Sequence, residues 1–116
     1  MSTDLGPALT KGSLCWVYLD PVRGREQGGR RPVVVVANTD YLATVTQLAI
    51  VVPVTTRDRG WPNHVRIDSD AGLESPSWAM AEQPRTIDRA RIVSVVGQVS
   101  AATIDAIDFR LRAFLH

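Results

Sequence analysis

Thiol and imidazole chemistry is nearly absent from this chain, which has one cysteine, Cys15, and two histidines, His64 and His116. A single thiol closes no intramolecular disulfide, and so few soft ligands do not make a convincing zinc site. Long hydrophobic runs are missing too; none approaches the ~20 residues needed to cross a bilayer. The start, Met1-Ser2-Thr3-Asp4, lacks the basic segment before an apolar stretch that marks a secretory signal. A cytoplasmic protein that needs neither a metal nor another cofactor is therefore expected. Net charge is scarce as well, and +1 over 116 residues excludes a globally basic nucleic-acid coat.

What charge there is sits unevenly. Between Arg23 and Arg31 there are four arginines against one acid, Glu26, and between Arg85 and Arg91 three arginines against Asp88. Arg66 to Glu74 has the opposite balance, one arginine against three acids. Two basic patches in a nearly neutral chain can focus a field on a bound polyanion. A coding bias toward arginine accounts for the same composition, since 12 of the 13 basic residues are arginine.

The hydrophobic fraction, 45 %, suits one globular domain of this length. Residues 1 to about 11 read as a flexible leader, and residues 12–116 as a single domain. From Ser13 to Asp20 the run Leu14-Cys15-Trp16-Val17-Tyr18-Leu19 reads as a strand apolar on both faces, stopped by Pro21. A glycine-rich loop with Gly24, Gly28 and Gly29 follows, then a β-branched strand from Val33 to Ala37. Asn38 to Thr44 is a connector with room for a short helical turn. Leu48 to Val54 is a third strand, where Pro53 demands an edge or a bulge. Shorter strands are expected at His64–Ile67, Trp78–Ala81 and Ile92–Val99, with Trp16 and Trp78 in the core. Ser100 is a plausible N-cap for a terminal helix that puts Ile104, Ile107, Leu111 and Phe114 on one stripe. Five or six short strands with one amphipathic helix predict an α+β, mostly β fold: a small SH3-like curled antiparallel sheet or barrel with a C-terminal helix.

Four ordered blocks carry a resemblance. The first is Gly12-Ser13-Leu14-Cys15-Trp16-Val17-Tyr18-Leu19-Asp20-Pro21, continued by Gly24, Glu26-Gln27, Gly28 and Arg31-Pro32. The others are Val52-Pro53-Val54-Thr55-Thr56, Gly60-Trp61-Pro62 and Glu82-Gln83-Pro84-Arg85-Thr86-Ile87. In order and approximate spacing they resemble the MazF/PemK toxins from about Lys11 to the end. Three departures stand out: Ser13 where an acid is common, Pro84 in place of an aliphatic residue, and Arg30 adding charge before Arg31.

RNA carries its own nucleophile, the 2′-hydroxyl, so a ribonuclease must deprotonate it, stabilise charge on the phosphorane and help the 5′-oxygen leave. A histidine pair is not expected to do this here, because His116 is the last residue and His64 opens a strand. Arg31, anchored by Pro32 and the buried strand after it, can grip phosphate oxygens with its guanidinium. Thr55, where the third strand leaves the sheet, can aim a hydroxyl at the same phosphate. The resemblance implies that Arg31 and Thr55 are catalytic in a metal-independent endoribonuclease acting on single-stranded RNA. Glu26 is either a general base or an ionic tether for Arg31. Gln27, Arg30, Gln83, Arg85 and Thr86 are implied RNA contacts, the last three equally compatible with a structural turn. Trp61 is either a base-stacking platform or a core or interface residue. The resemblance further implies a CcdB/MazF-like fold, a homodimer, and a cognate antitoxin whose C-terminal tail fills the RNA groove.

Three other readings remain open at this level. A gyrase poison of the CcdB type shares the fold, but such toxins end in an aromatic-Gly-aliphatic tip, whereas this chain ends Ala113-Phe114-Leu115-His116. A non-catalytic SH3-like interaction module would need a groove of clustered aromatics. An inactivated toxin is the third.

Overall fold

The computed structural model describes residues 8–18 and 29–115. Seven strands and two helices follow one another as β1 (Ser13–Val17), β2 (Arg31–Val35), α1 (Thr39–Thr44), β3 (Leu48–Thr55), β4 (His64–Arg66), β5 (Trp78–Met80), β6 (Arg85–Asp88), β7 (Ile92–Gln98) and α2 (Ala101–Leu115). Every strand pairing is antiparallel. The order is β4-β5-β3-β2-β1-β7, with β6 added to β3, so the sheet is open rather than closed into a barrel.

β3 organises the sheet. One edge pairs with β2, while the other is shared between β6, along Leu48–Val51, and β5, along Val54–Thr55. Pro53 falls in the gap between those two partners, where a residue with no N–H is tolerated. The expected third strand is thus extended by one residue, and the demand for an edge or bulge at Pro53 is met by a change of partner.

The apolar runs of β1 and β2 are explained by cover on both faces. Leu14, Val34, Val52, Val54 and Ala79 form one core with Ile67, Ala71 and Ile107, and Ile104 and Leu111 of α2 pack against it. Cys15, Val17, Val33, Val35, Ala49, Val51 and Ile87 form the other, with Leu42 and Tyr41 of α1 and with Leu9. Alternation along each strand sends neighbours to opposite cores. Burial pushes the Cys15 thiol up to about 11, so this cysteine is inert core material.

The connector after β2 does hold a short helix, and the terminal helix is capped by Ser100 as expected. The Asn38 side chain accepts from the Tyr41 N–H at 2.8 Å, and Ser100 Oγ accepts from the Thr103 N–H at 3.2 Å. Asp68 ties the second cap down, accepting from the Thr103 hydroxyl at 2.6 Å and the Ser100 hydroxyl at 3.2 Å. Residues at the end of the expected leader are bound to the domain. Thr10 Oγ1 donates to Gln98 Oε1 at 3.0 Å, and Lys11 pairs with Asp108 at 2.8 Å.

Several expectations are corrected. The polar stretch after Pro84 is a strand, β6, because Arg85 to Asp88 complete the free edge of β3. The first strand ends at Val17; Tyr18 is outside it, and Leu19 and Asp20 lie outside the described residues. The second begins at Arg31 rather than Val33, since Arg31 and Pro32 pair with Val17 and Trp16. Phe114 belongs to the helical stripe by spacing but is 51 % exposed, because the stripe runs past the edge of the sheet after Leu111. Trp16 and Trp78, expected in the core, are both half-buried under arginine guanidinia, Arg30 over Trp16 and Arg66 over Trp78.

Candidate functional site

The pairing of β2 with β3 sets Val33 opposite Pro53 and Val34 opposite Val52. The same register carried to the strand ends brings Arg31 opposite Thr55. Opposed residues in an antiparallel pair share a face, with Cα atoms about 4.5–5.5 Å apart. Across β3, Arg85 of β6 pairs with Val51 and so lies on that face too. Three strands therefore deliver two guanidinium groups and a hydroxyl to one side of the sheet.

These side chains line an open groove of about 660 Å³. Pro32, Pro53, Val54 and Met80 supply its apolar lining, and Arg30, Arg31, Thr55, Thr56, Gln83 and Arg85 its polar one. Among the described residues the lining carries three arginines and no acid, so this part of it presents a positive field, as a phosphodiester requires. Arg31 is exposed and its strand is pinned on both sides, which fixes the base of the side chain while leaving the guanidinium free to reach. Thr55 Oγ1 accepts the Arg57 N–H at 3.1 Å, an ST-type turn that closes β3. An oxygen engaged as acceptor in this way keeps its own O–H available to donate into the groove.

Of the residues singled out from sequence, Arg30, Arg31, Thr55, Gln83 and Arg85 are brought together. Glu26 and Gln27 lie outside the described residues. Thr86 pairs with Ile50, and strand alternation turns it to the face opposite Arg85, away from the groove lining. Trp61 is also elsewhere: 49 % exposed in the β3–β4 loop, its ring lies against His64 at 4.8 Å and under Arg59 at 5.3 Å. The second basic patch divides: Arg85 reaches the groove, whereas Arg89 donates to the carbonyls of Leu42, Val45 and Leu48, and Arg91 donates to Tyr18 O at 3.1 Å.

Sequence reasoning missed Trp16. Its ring lines the groove and also a neighbouring cavity of about 380 Å³ with Pro32, Thr56, Leu73, Glu74 and Ser77. The apolar character of β1 concealed it, because an aromatic in an apolar run reads as core. Glu82 was likewise passed over. Its carboxylate accepts from Asn63 Nδ2, His64 Nε2 and Gln83 Nε2, which couples the groove wall to the β4–β5 hairpin. Burial alone would raise its pKa, but the hydrogen bonds from His64, its own backbone, Asn63 and Gln83 outweigh that and hold it below the usual value.

Comparison with known proteins gives the family and the fold. The family model of PemK-like, MazF-like toxins of type II toxin–antitoxin systems matches residues 10–115. The endoribonuclease MazF9 of Mycobacterium tuberculosis is 37 % identical over 113 residues, spanning 92 % of this chain and 96 % of the relative. The endoribonuclease EndoA of Bacillus subtilis is 35 % identical over 108 residues, 90 % of this chain and 92 % of that one. Among solved structures, a MazE–MazF crystal structure from Deinococcus radiodurans superposes with a TM-score of 0.81 at 28 % identity, covering 95 % of this chain and 97 % of that one.

Proposed function

Because the chain belongs to the PemK-like, MazF-like family of type II toxins, we propose that it is a metal-independent endoribonuclease that cuts single-stranded RNA at selected sequences. The reading covers residues 12–116 as the nuclease domain, with the first residues as a leader. The 2′-hydroxyl attacks the adjacent phosphorus, the 5′-oxygen leaves, and the products carry a 2′,3′-cyclic phosphate and a 5′-hydroxyl. Arg31 stabilises the charge that builds on the phosphorane oxygens and stands where it can protonate the leaving oxygen. Thr55 donates its hydroxyl to the same phosphate. Glu26 either deprotonates the 2′-hydroxyl or tethers Arg31. Arg30 and Arg85 hold neighbouring phosphates, and Gln83 reads a base. Gln27, Thr86 and Trp61 belong to the wider RNA path.

The observation that carries this reading is the opposition of Arg31 and Thr55 in a groove whose described lining includes three arginines. The relatives' names, endoribonucleases in each case, supply the reaction class. MazE–MazF complexes among the structural neighbours support a cognate antitoxin as partner; in this reading its C-terminal tail competes with RNA for the groove. A homodimer in the cytoplasm, arresting translation and growth when free of antitoxin, completes the proposal.

The deciding experiment is cleavage of a long mixed-sequence RNA by the purified protein in excess EDTA, with the new ends identified chemically. Cyclic phosphate and 5′-hydroxyl ends are expected. Strict magnesium dependence or 5′-phosphate ends would overturn the reading.

A further inference from the structure

We propose that Glu82 fixes which end of the Gln83 side-chain amide faces the groove, and that the base read there must therefore carry an exocyclic amino group. The inference rests on the endoribonuclease reading and deepens it, by naming the chemistry of one recognised base.

Gln83 lines the groove beside Pro84 and Arg85. Its amide could face outward with either its NH₂ or its carbonyl, and the two would select opposite partners. Glu82 decides between them. An ionised carboxylate only accepts hydrogen bonds, so it can receive the NH₂ of Gln83 and never its carbonyl. Gln83 Nε2 lies 3.2 Å from Glu82 Oε2 and 3.8 Å from Met80 Sδ, so both amide hydrogens point back into the protein. Among the described residues none donates to Gln83 Oε1. The carbonyl is the end left for a ligand.

Glu82 is itself locked in place. Asn63 Nδ2 donates to Oε1, and His64 Nε2 lies 3.0 Å from Oε2. The His64 side chain is 1 % exposed, sealed under the Trp61 ring, and its Nδ1 is buried without a partner among the described residues. With the proton on Nε2 the imidazole donates to Glu82 and leaves only an acceptor unpaired. The other tautomer would bury an orphaned N–H and set a lone pair against the carboxylate, a costlier arrangement. The backbone is held too: Gln83 N–H donates to Met80 O, and Ala81 N–H to Asn63 O, each at 3.1 Å. Glu82 is thus a positioning residue, and Gln83 the residue that meets the base.

An outward carbonyl favours adenine N6, cytosine N4 or guanine N2. Uracil has no exocyclic amine; its one donor, N3–H, is flanked by two carbonyls that would crowd the same oxygen. Setting acceptor against acceptor corresponds to about tenfold discrimination or more at that position.

The test is to map the cut sites of the wild-type protein on a long mixed RNA, then repeat with E82Q and Q83M. The wild type is expected to exclude uracil by about tenfold at one position of its motif. In E82Q, residue 82 can offer an NH₂ as well as a carbonyl, the Gln83 amide is free to turn, and that position alone is expected to relax. Oligonucleotides carrying purine riboside for adenosine, inosine for guanosine or 2-pyrimidinone riboside for cytidine there should lose about tenfold on the wild type and little on E82Q. Gln83 is exposed, so Q83M keeps its fold and should lose the exclusion even if E82Q folds poorly. Cleavage that accepts uracil at every position, or a motif unchanged in Q83M, overturns the proposal. Failure of the wild type to cut RNA at all is a different result and removes the endoribonuclease reading with it.

Discussion

Arg31 and Thr55 stand opposite one another on adjacent antiparallel strands, on one face and at the mouth of one groove. They are distant in sequence, and the stretch between them contains a helix and most of two strands. Their meeting depends on the register of β2 against β3, which the buried pairs Val33–Pro53 and Val34–Val52 determine. A slip of one residue would turn Thr55 to the other core.

Replacing Arg31 by alanine is expected to slow RNA cleavage about a hundredfold or more, the scale of losing one preorganised donor to a charged transition state. The side chain is exposed, so the thermal midpoint should hardly move. Single-turnover cleavage with circular dichroism on the same preparation checks both. Thr55→Val should also lose rate, whereas Thr55→Ser, which keeps the hydroxyl and its acceptor role toward Arg57, should retain most of it.

Arg89 gives a contrasting case. Its guanidinium satisfies carbonyls of Leu42, Val45 and Leu48, at the C-terminal end of α1 and the start of β3. The Leu42 carbonyl lies in the last turn of the helix, where intrahelical donors run out, while Val45 O also accepts the Leu48 N–H at 3.3 Å. Arg89→Ala is expected to destabilise the protein by about 2 kcal/mol in denaturant titration, while folded molecules cleave RNA at the wild-type rate.

Gly97 has no room for a side chain. A Cβ there would sit 1.6 Å from the carbonyl oxygen of Ala71, where β7 crosses the segment before Gly72. Because the obstacle is backbone, relief requires moving β7 away from the loop. Gly97→Ala is expected to cost more than about 2 kcal/mol, read as a lowered urea midpoint.

Acid should weaken the fold through two carboxylates. Asp68 is held below its ordinary value of 3.8, chiefly by the Thr103 hydroxyl against a smaller opposing effect of burial. For Glu82, burial would raise the ordinary 4.5, and the hydrogen bonds from His64, backbone, Asn63 and Gln83 overcome it. A group depressed in the folded state adds stability that is fully present above its unfolded value and disappears as pH falls through the folded one. Denaturant midpoints are thus expected to be level above about pH 5 and to fall below about pH 4. Asp68→Asn should be less stable than the wild type at pH 7 and approach it at pH 3. A gap that persists at pH 3 would assign the effect to packing instead.

The differences between sequence and structure have a common origin. Ser100 was legible as a cap because a cap acts within three residues of itself. Ile104, Ile107 and Leu111 were legible because helical spacing is local; Phe114 misled because the same spacing says nothing of where the sheet ends. β6 was missed because Arg85 to Asp88 carry little apolar character, and what makes them a strand is the free edge of β3. Trp61 stayed open between a stacking platform and a core or interface residue, because spacing along the chain could not show that its loop lays it against His64 while leaving it half exposed.

By itself the sequence determined the strands with two apolar faces, the terminal amphipathic helix and the motif blocks that mark the family. These follow from period, chain stiffness and residue type, all properties of neighbours along the chain. Only the tertiary structure decided that Arg30, Arg31, Thr55, Gln83 and Arg85 share one groove, that Thr86 faces away from it, and that Glu82 turns the Gln83 amide. Periodicity states which face of a strand a residue takes. Which strand lies alongside, and in what register, is fixed by burial of two cores at once, and that is a property of the whole sheet.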